Sequence, residues 1–260
     1  MPVGPGIAIS GLVLTGLAAF AAGAVNALAG GGTLITFPTL VAIGIPEVAA
    51  NITNTVSLCP GFLGGTLAQR EDLRGQRRRI LLLIPAGIAG GIFGGILLIF
   101  VSAETFRIIV PFLILFAALL LAVQDRVREW IVNNTAGAKT GDDETKRAVL
   151  PLGLAAVYGG YFGAGLSVII LSVLGLFVSD TITRLNALKQ CLAFSSNLAA
   201  AVFFLFSGLV VWPVAIVMAA ASLDGGAAGG RFAGRINPDT LRRTVVVIGI
   251  AVGIIFLLRL

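Results

Sequence analysis

The chain has 260 residues, 57 % of them hydrophobic and only 12 % charged, with a mean hydropathy of +1.02. Soluble domains carry about 25 % charged residues, so the composition excludes an ordinary soluble enzyme and predicts an all-α polytopic membrane protein. The net charge of +6 comes without a readable basic groove, so nucleic acid is not an expected partner. The absence of His removes most transition-metal sites and any His proton relay, and neither a metal nor a cofactor is expected.

Residues 1–6 (MPVGPG) hold no basic n-region, so a cleaved signal peptide is not expected. The apolar runs are continuous rather than alternating, which excludes a β-barrel. In chain order they predict helices at 7–28, 33–45, 48–69, 79–101 and 105–123, with a Gly-rich break at 29–32. A polar linker follows at 124–147, and Trp130 within it reads as an interface anchor, as does Trp212. The second series is 148–162, a break at 163–165, then 166–178, 183–206, 213–236 and 241–259. Segments 33–45 and 166–178 fall well short of the roughly 20 residues that cross a bilayer. Each first pair therefore either crosses twice, giving five crossings per half, or folds back as a re-entrant hairpin, giving three. The shortness of 148–162 favours the hairpin. Cys59 and Cys191 stand alone in apolar context and read as inert core thiols.

The two series are related. Residues 90–110 and 225–245 align without gaps, with seven identities that include GGxxGG, a Thr and an Arg. Gly30-Gly31-Gly32 and Gly163-Ala164-Gly165 match at nearly the same spacing, and Asn51 then matches Asn186. Loops 70–79, 124–147 and 231–243 hold 14 of the 18 Lys and Arg, which places all three in the cytoplasm. Of their repeat-equivalents, 207–212 has no charge and 102–107 holds Arg107 as its one basic residue. The prediction is a first repeat at 1–123, a cytoplasmic linker at 124–147 and an inverted second repeat at 148–260, a pattern typical of secondary transporters.

Interrupted helices expose amide groups and a partial positive charge at their N-termini. Inversion would aim two such ends at one midplane point, a geometry suited to a small anion. Gly30, Gly31, Gly32 and Thr33, with Gly163, Gly165 and Ser167, are the candidate anion contacts; close helix crossing is the other explanation of these glycines. Uncharged Asn51, Asn54 and Thr55, with Asn186, Lys189 and Gln190, follow as ligand contacts or as interhelical hydrogen bonds. Lys189 and Arg184 also suit snorkelling to the interface. Asp224 near the middle of a span reads as a proton-coupling carboxylate, as a partner of Arg231 or Lys189, or as a protonated, hydrogen-bonded core residue. The GGxxGG pairs lie inside long spans and read as packing surfaces.

Asn26-Ala27-Leu28-Ala29-Gly30-Gly31-Gly32, then Pro38, Gly44-Ile45-Pro46 and Ala50-Asn51-Ile52-Thr53-Asn54-Thr55, resemble the sulfite exporter TauE/SafE family. Segment 159–167 and the terminal GGxxGG block fit the same pattern. The family carries a Thr-Ser pair where this chain has Asn54 and Thr55. The resemblance implies a multi-pass carrier in the bacterial plasma (inner) membrane that exports sulfite or an organosulfonate such as sulfoacetate. A passive anion channel, or an uptake carrier for a related oxyanion, would use the same residues. The expected partners are the small anion and the lipid bilayer, and Gly-rich faces permit a homodimer.

Overall fold

The computed structural model describes residues 8–28, 30–135, 142–231 and 238–260. These form α1 (Ile9–Leu28), α2 (Thr33–Ala42), α3 (Glu47–Ala68), α4 (Arg77–Phe100), α5 (Ala103–Thr135), α6 (Asp142–Arg147), α7 (Val149–Tyr161), α8 (Leu166–Phe177), α9 (Ile182–Leu205), α10 (Trp212–Arg231) and α11 (Pro238–Leu258). There is no strand among the described residues. Helices α1, α4, α5, α9 and α11 are long and apolar enough to cross a membrane, so the expected all-α polytopic architecture holds.

One boundary moves substantially. The sequence predicts that the span starting at 105 ends at 123, whereas α5 continues to Thr135. Its polar extension keeps an apolar edge: Ile131 is fully buried and faces Gly175 of α8 so closely that a Cβ there would lie 2.2 Å from its Cγ1. Burial of that edge continues the helix into what reads as linker. Of the rest of the predicted linker, 142–147 forms α6, while 136–141 lies outside the described residues, as do 1–7, Ala29 and 232–237 of the basic loop.

Helix pairing repeats itself when α1–α5 are exchanged with α7–α11. The α1–α10 pair corresponds to α4–α7, α3–α10 to α4–α9, and α2–α11 to α5–α8, while α3–α9 and α5–α11 map onto themselves. The glycine pairs make two of these contacts. A Cβ on Gly94 would stand 2.0 Å from the Val157 carbonyl oxygen, and one on Gly225 2.0 Å from that of Phe20. Backbones this close leave no room for any side chain, which is the small-residue packing expected of GGxxGG in a membrane.

The directions of the short helices follow from these contacts. Along α4, Ala86 meets Gly153 and Gly94 meets Tyr161, so α7 runs parallel to α4. Helix α8 then returns: Gly165 lies against Ala117 and Leu120, Gly175 against Ile131, and Asp180 beyond its end meets Arg79 in the first turn of α4. The α7–α8 pair is therefore antiparallel, as both a re-entrant hairpin and a double crossing require. In the first half, Gly16 meets Val217 and Ala24 meets Gly229, so α1 runs parallel to α10. Helix α2 runs parallel to α11, with Leu34 on Gly249 and Phe37 on Phe256. Helices α5 and α11 cross antiparallel, Leu115 meeting Gly253 and Ala118 meeting Gly249. Since α8 follows α5 and α2 follows α11, α2 and α8 point in opposite directions.

Candidate functional site

Both breaks form where the sequence places them, because the chain reverses there through backbone angles that favour glycine. Gly30 and Gly31 have φ of +81° and +92°, and Gly163 and Gly165 have +79° and +77°. The two breaks meet: a Cβ on Gly30 would stand 3.6 Å from the Cβ of Ser167. One turn of α5 supports both, with Leu121 against Gly31 and Leu120 against Gly165. Two oppositely directed helices thus begin at one buried point, each with its positive end there.

The two ends differ. At the first, Asn26 Oδ1 accepts a hydrogen bond from the Gly32 amide at 2.8 Å, so this donor is committed internally. At the second, the Tyr158 hydroxyl donates to the Ala164 carbonyl at 2.7 Å and fixes the turn without occupying an amide. Among the described residues, the amides of Ala164, Gly165 and Ser167 have no hydrogen-bond acceptor. The start of α8 is the more open of the two donor arrays, and Ser167, half-buried beside it, adds a hydroxyl.

Helix α3 brings polar side chains to both breaks. Asn51 Nδ2 donates to the Tyr161 carbonyl at the end of α7, 2.7 Å away. Asn54 Nδ2 lies 3.4 Å from Thr33 Oγ1 at the start of α2. Both asparagines are essentially fully buried. Their Oδ1 atoms have no partner among the described residues. Thr55 is buried too, but its hydroxyl donates to the Asn51 carbonyl one turn back, so it serves its own helix.

The equivalent trio on α9 bonds elsewhere. Lys189 Nζ donates to Asn186 Oδ1 at 3.3 Å, and Gln190 packs on Gly65 near the far end of α3. No bond from Asn186, Lys189 or Gln190 to either break occurs among the described residues. The α9 residue that does reach a break is Asn197, whose Oδ1 would be 3.9 Å from a Cβ on Gly163. It has no polar counterpart in the aligned first half, which carries Phe62, so the repeat gave no signal for it. Asp224 is exposed on α10, not a core group. The same helix turns Ser222, Gly225 and Gly229 inward, against α1 and α3, and this leaves Asp224 facing out.

Away from the breaks, an ionic cluster closes one corner. Asp180 accepts from Arg79 at 2.5 Å and pairs with Arg184 at 2.9 Å. Arg184 also donates to the Arg74 carbonyl, and Gln76 donates to the Arg184 carbonyl. Partial burial pushes the Asp180 carboxyl up, but the hydrogen bonds from Arg79, Arg184 and the Thr181 amide outweigh it and hold the group below its ordinary 3.8. A recess of about 440 Å³ lined by Glu47, Glu104, Arg107 and Leu260 opens beside the starts of α3 and α5.

The profile of the sulfite exporter TauE/SafE family matches residues 15–256. A "Probable membrane transporter protein ORF9" of Sinorhizobium sp. is 27 % identical, over 92 % of this chain and 89 % of its own length. A "Probable membrane transporter protein" of Haemophilus influenzae is 29 % identical, over 88 % and 87 %. The "Probable membrane transporter protein YfcA" of Escherichia coli K12 is 24 % identical, over 88 % and 83 %. No solved structure matches the chain.

Proposed function

This chain belongs to the sulfite exporter TauE/SafE family, a family of multi-pass membrane transporters, and from that membership and the meeting of its two broken helices we propose that it exports a small sulfur-containing anion by alternating access. The observation that carries this reading is the contact between Gly30 and Ser167. It sets the N-termini of α2 and α8 together at one buried point, pointing in opposite directions. Helix ends of this kind stabilise negative charge without a buried Lys or Arg, and a site shared by two oppositely directed halves is the arrangement alternating access requires. The exchange symmetry of the helix pairing supports two inverted repeats joined through α6.

Sulfite and organosulfonates such as sulfoacetate are the proposed cargo, taken from the family's name and from the fit of a compact oxyanion to an amide cradle. The proposed setting is the bacterial plasma membrane, with loop 70–79 and the chain around α6 in the cytoplasm by the positive-inside rule. A membrane potential negative inside favours export by roughly 2.3 kcal/mol per charge per 100 mV, so the outward direction needs no strong coupling.

The test is counterflow in proteoliposomes. Vesicles loaded with unlabelled sulfite should transiently concentrate labelled sulfite above equilibrium, with saturation. Flux that is linear in concentration and shows no counterflow would make the protein a channel. No sulfite, thiosulfate or sulfoacetate flux at all would remove the assignment.

A further inference from the structure

The break site contains acceptors as well as donors, and the acceptors are not idle side-chain ends. Asn51 is completely buried. Its amide orientation is fixed chemically, because only an N–H group can face the Tyr161 carbonyl at 2.7 Å. Its Oδ1 is therefore a carbonyl oxygen in every assignment of the amide, and no donor among the described residues reaches it. Buried polar atoms without partners are rare, because desolvation without a replacement bond is costly. Asn54 Oδ1, next to Thr33 at the other break, has no partner either. Asn51 is bonded to the residue two positions before Gly163, whose break presents the open amides of Ala164, Gly165 and Ser167.

A bare anion satisfies those amides and is repelled by the carbonyl oxygen. A ligand that carries one negative charge and also one O–H satisfies both. Building on the anion-carrier reading above, we infer that the site selects oxyanions that retain a proton, with Asn51 Oδ1 accepting the ligand's O–H while the α8 amides hold its ionised oxygens. Asn51 is on this account a specificity-determining residue. Of the proposed cargoes this favours sulfite, in its monoprotonated form, over organosulfonates, whose ionised sulfonate carries no O–H.

The experiment is calorimetric binding to the purified full chain with two matched probes at mildly acidic pH. The methylphosphonate monoanion and methanesulfonate have the same charge and nearly the same shape, and differ by a single O–H. The methylphosphonate monoanion should bind on the order of tenfold more tightly, or better, since a site with a buried acceptor rejects an analogue that leaves it unpaired. Asn51→Leu should reduce the ratio to about one. If that variant does not fold, the comparison on the unaltered protein decides alone. Equal affinity for the two probes overturns the inference and leaves the anion carrier standing. Equal affinity that appears only with added sodium overturns it in favour of a bound cation at the carbonyl oxygens. Failure of both probes together with absence of sulfite counterflow removes the parent reading and this one with it.

Discussion

Arg79, in the first turn of α4, bonds Asp180 at the corner between α8 and α9, 101 residues away. At the alignment offset of 135, the equivalent positions in the other half are Val214 and Ile45. Both are buried and belong to one apolar core. The two pseudo-equivalent corners are therefore closed by different forces: one by a carboxylate between two guanidinium groups, the other by aliphatic packing. The ionic corner responds to pH and salt, and the apolar corner does not.

Asp180→Asn should lower stability by about 1–3 kcal/mol, between the values for exposed and buried pairs, because Asp180 and Arg79 are mostly covered and Arg184 is less so. The carboxyl is held below its unfolded value of 3.8. Its contribution is present in full above that value and is lost as pH falls through the lower folded value. Thermal unfolding in detergent should thus separate the parent and Asp180→Asn at neutral pH and bring them together only in acid, below the lowered folded value. A separation that persists unchanged in strong acid would show that the carboxylate is not the stabilising group.

Gly94→Ala and Gly225→Ala should each destabilise the fold by about 2–4 kcal/mol, since the new methyl meets a backbone oxygen that cannot rotate away. Gly64→Ala is the matched control. Its Cβ would find only Leu223 Cδ1, at 3.8 Å, and it should unfold within about 0.5 kcal/mol of the parent. Unfolding of the three variants in lipid nanodiscs gives the comparison, and an equal change in all three would show that close approach does not govern these glycines, since helix propensity alone would make each alanine slightly stabilising.

Much of this was legible in the sequence because it is written in glycine and charge. Gly30–Gly32 and Gly163–Gly165 announce broken helices through conformations no other residue adopts cheaply, and their spacing is what suggests a repeat. The fates of single polar side chains were not legible. Asn51, Asn186 and Gln190 look alike in an alignment, yet Asn51 lies at the breaks while Gln190 packs on Gly65, because the α3–α9 crossing decides which turn of each helix faces inward. Asp224 looked central by its position along the helix, and only the rotation of α10 toward α1 shows that it faces outward. The length of α5 was hidden because its extension is polar on one side and is held on the other by Gly175, some 40 residues later.

Gly30→Ala should impair ligand binding more than it impairs stability. Its φ of +81° costs an alanine roughly 1–2 kcal/mol, and the methyl would also enter the space beside Ser167. Gly44→Ala separates the two effects, since its φ is +89° and nothing lies within 4 Å of a Cβ there. Both variants should lose similar stability, while sulfite affinity by calorimetry should fall at least tenfold, or about 1.4 kcal/mol, only for Gly30→Ala. Equal sulfite affinity in the two would place the ligand elsewhere.

The last prediction concerns Arg107 and Arg242, which occupy equivalent positions at the starts of α5 and α11. Arg242 is buried, 7 % exposed, and is held by Asp125 near the end of the apolar part of α5 and by Asp239 at 3.2 Å. Arg107 is exposed beside the recess at the starts of α3 and α5, and the position equivalent to Asp125 in that half is Leu260. Removing Asp125 leaves a guanidinium covered by protein with one acid in place of two. Asp125→Asn should therefore cost about 1–2 kcal/mol, reduced from the value for a fully buried pair because Asp125 is itself 44 % exposed. Arg107→Met should change stability by less than about 0.5 kcal/mol, as surface substitutions do. Thermal unfolding of the two variants side by side checks this. A larger loss for Arg107→Met would mean that the α5–α11 crossing is held from the recess end and not by the Arg242–Asp125 pair.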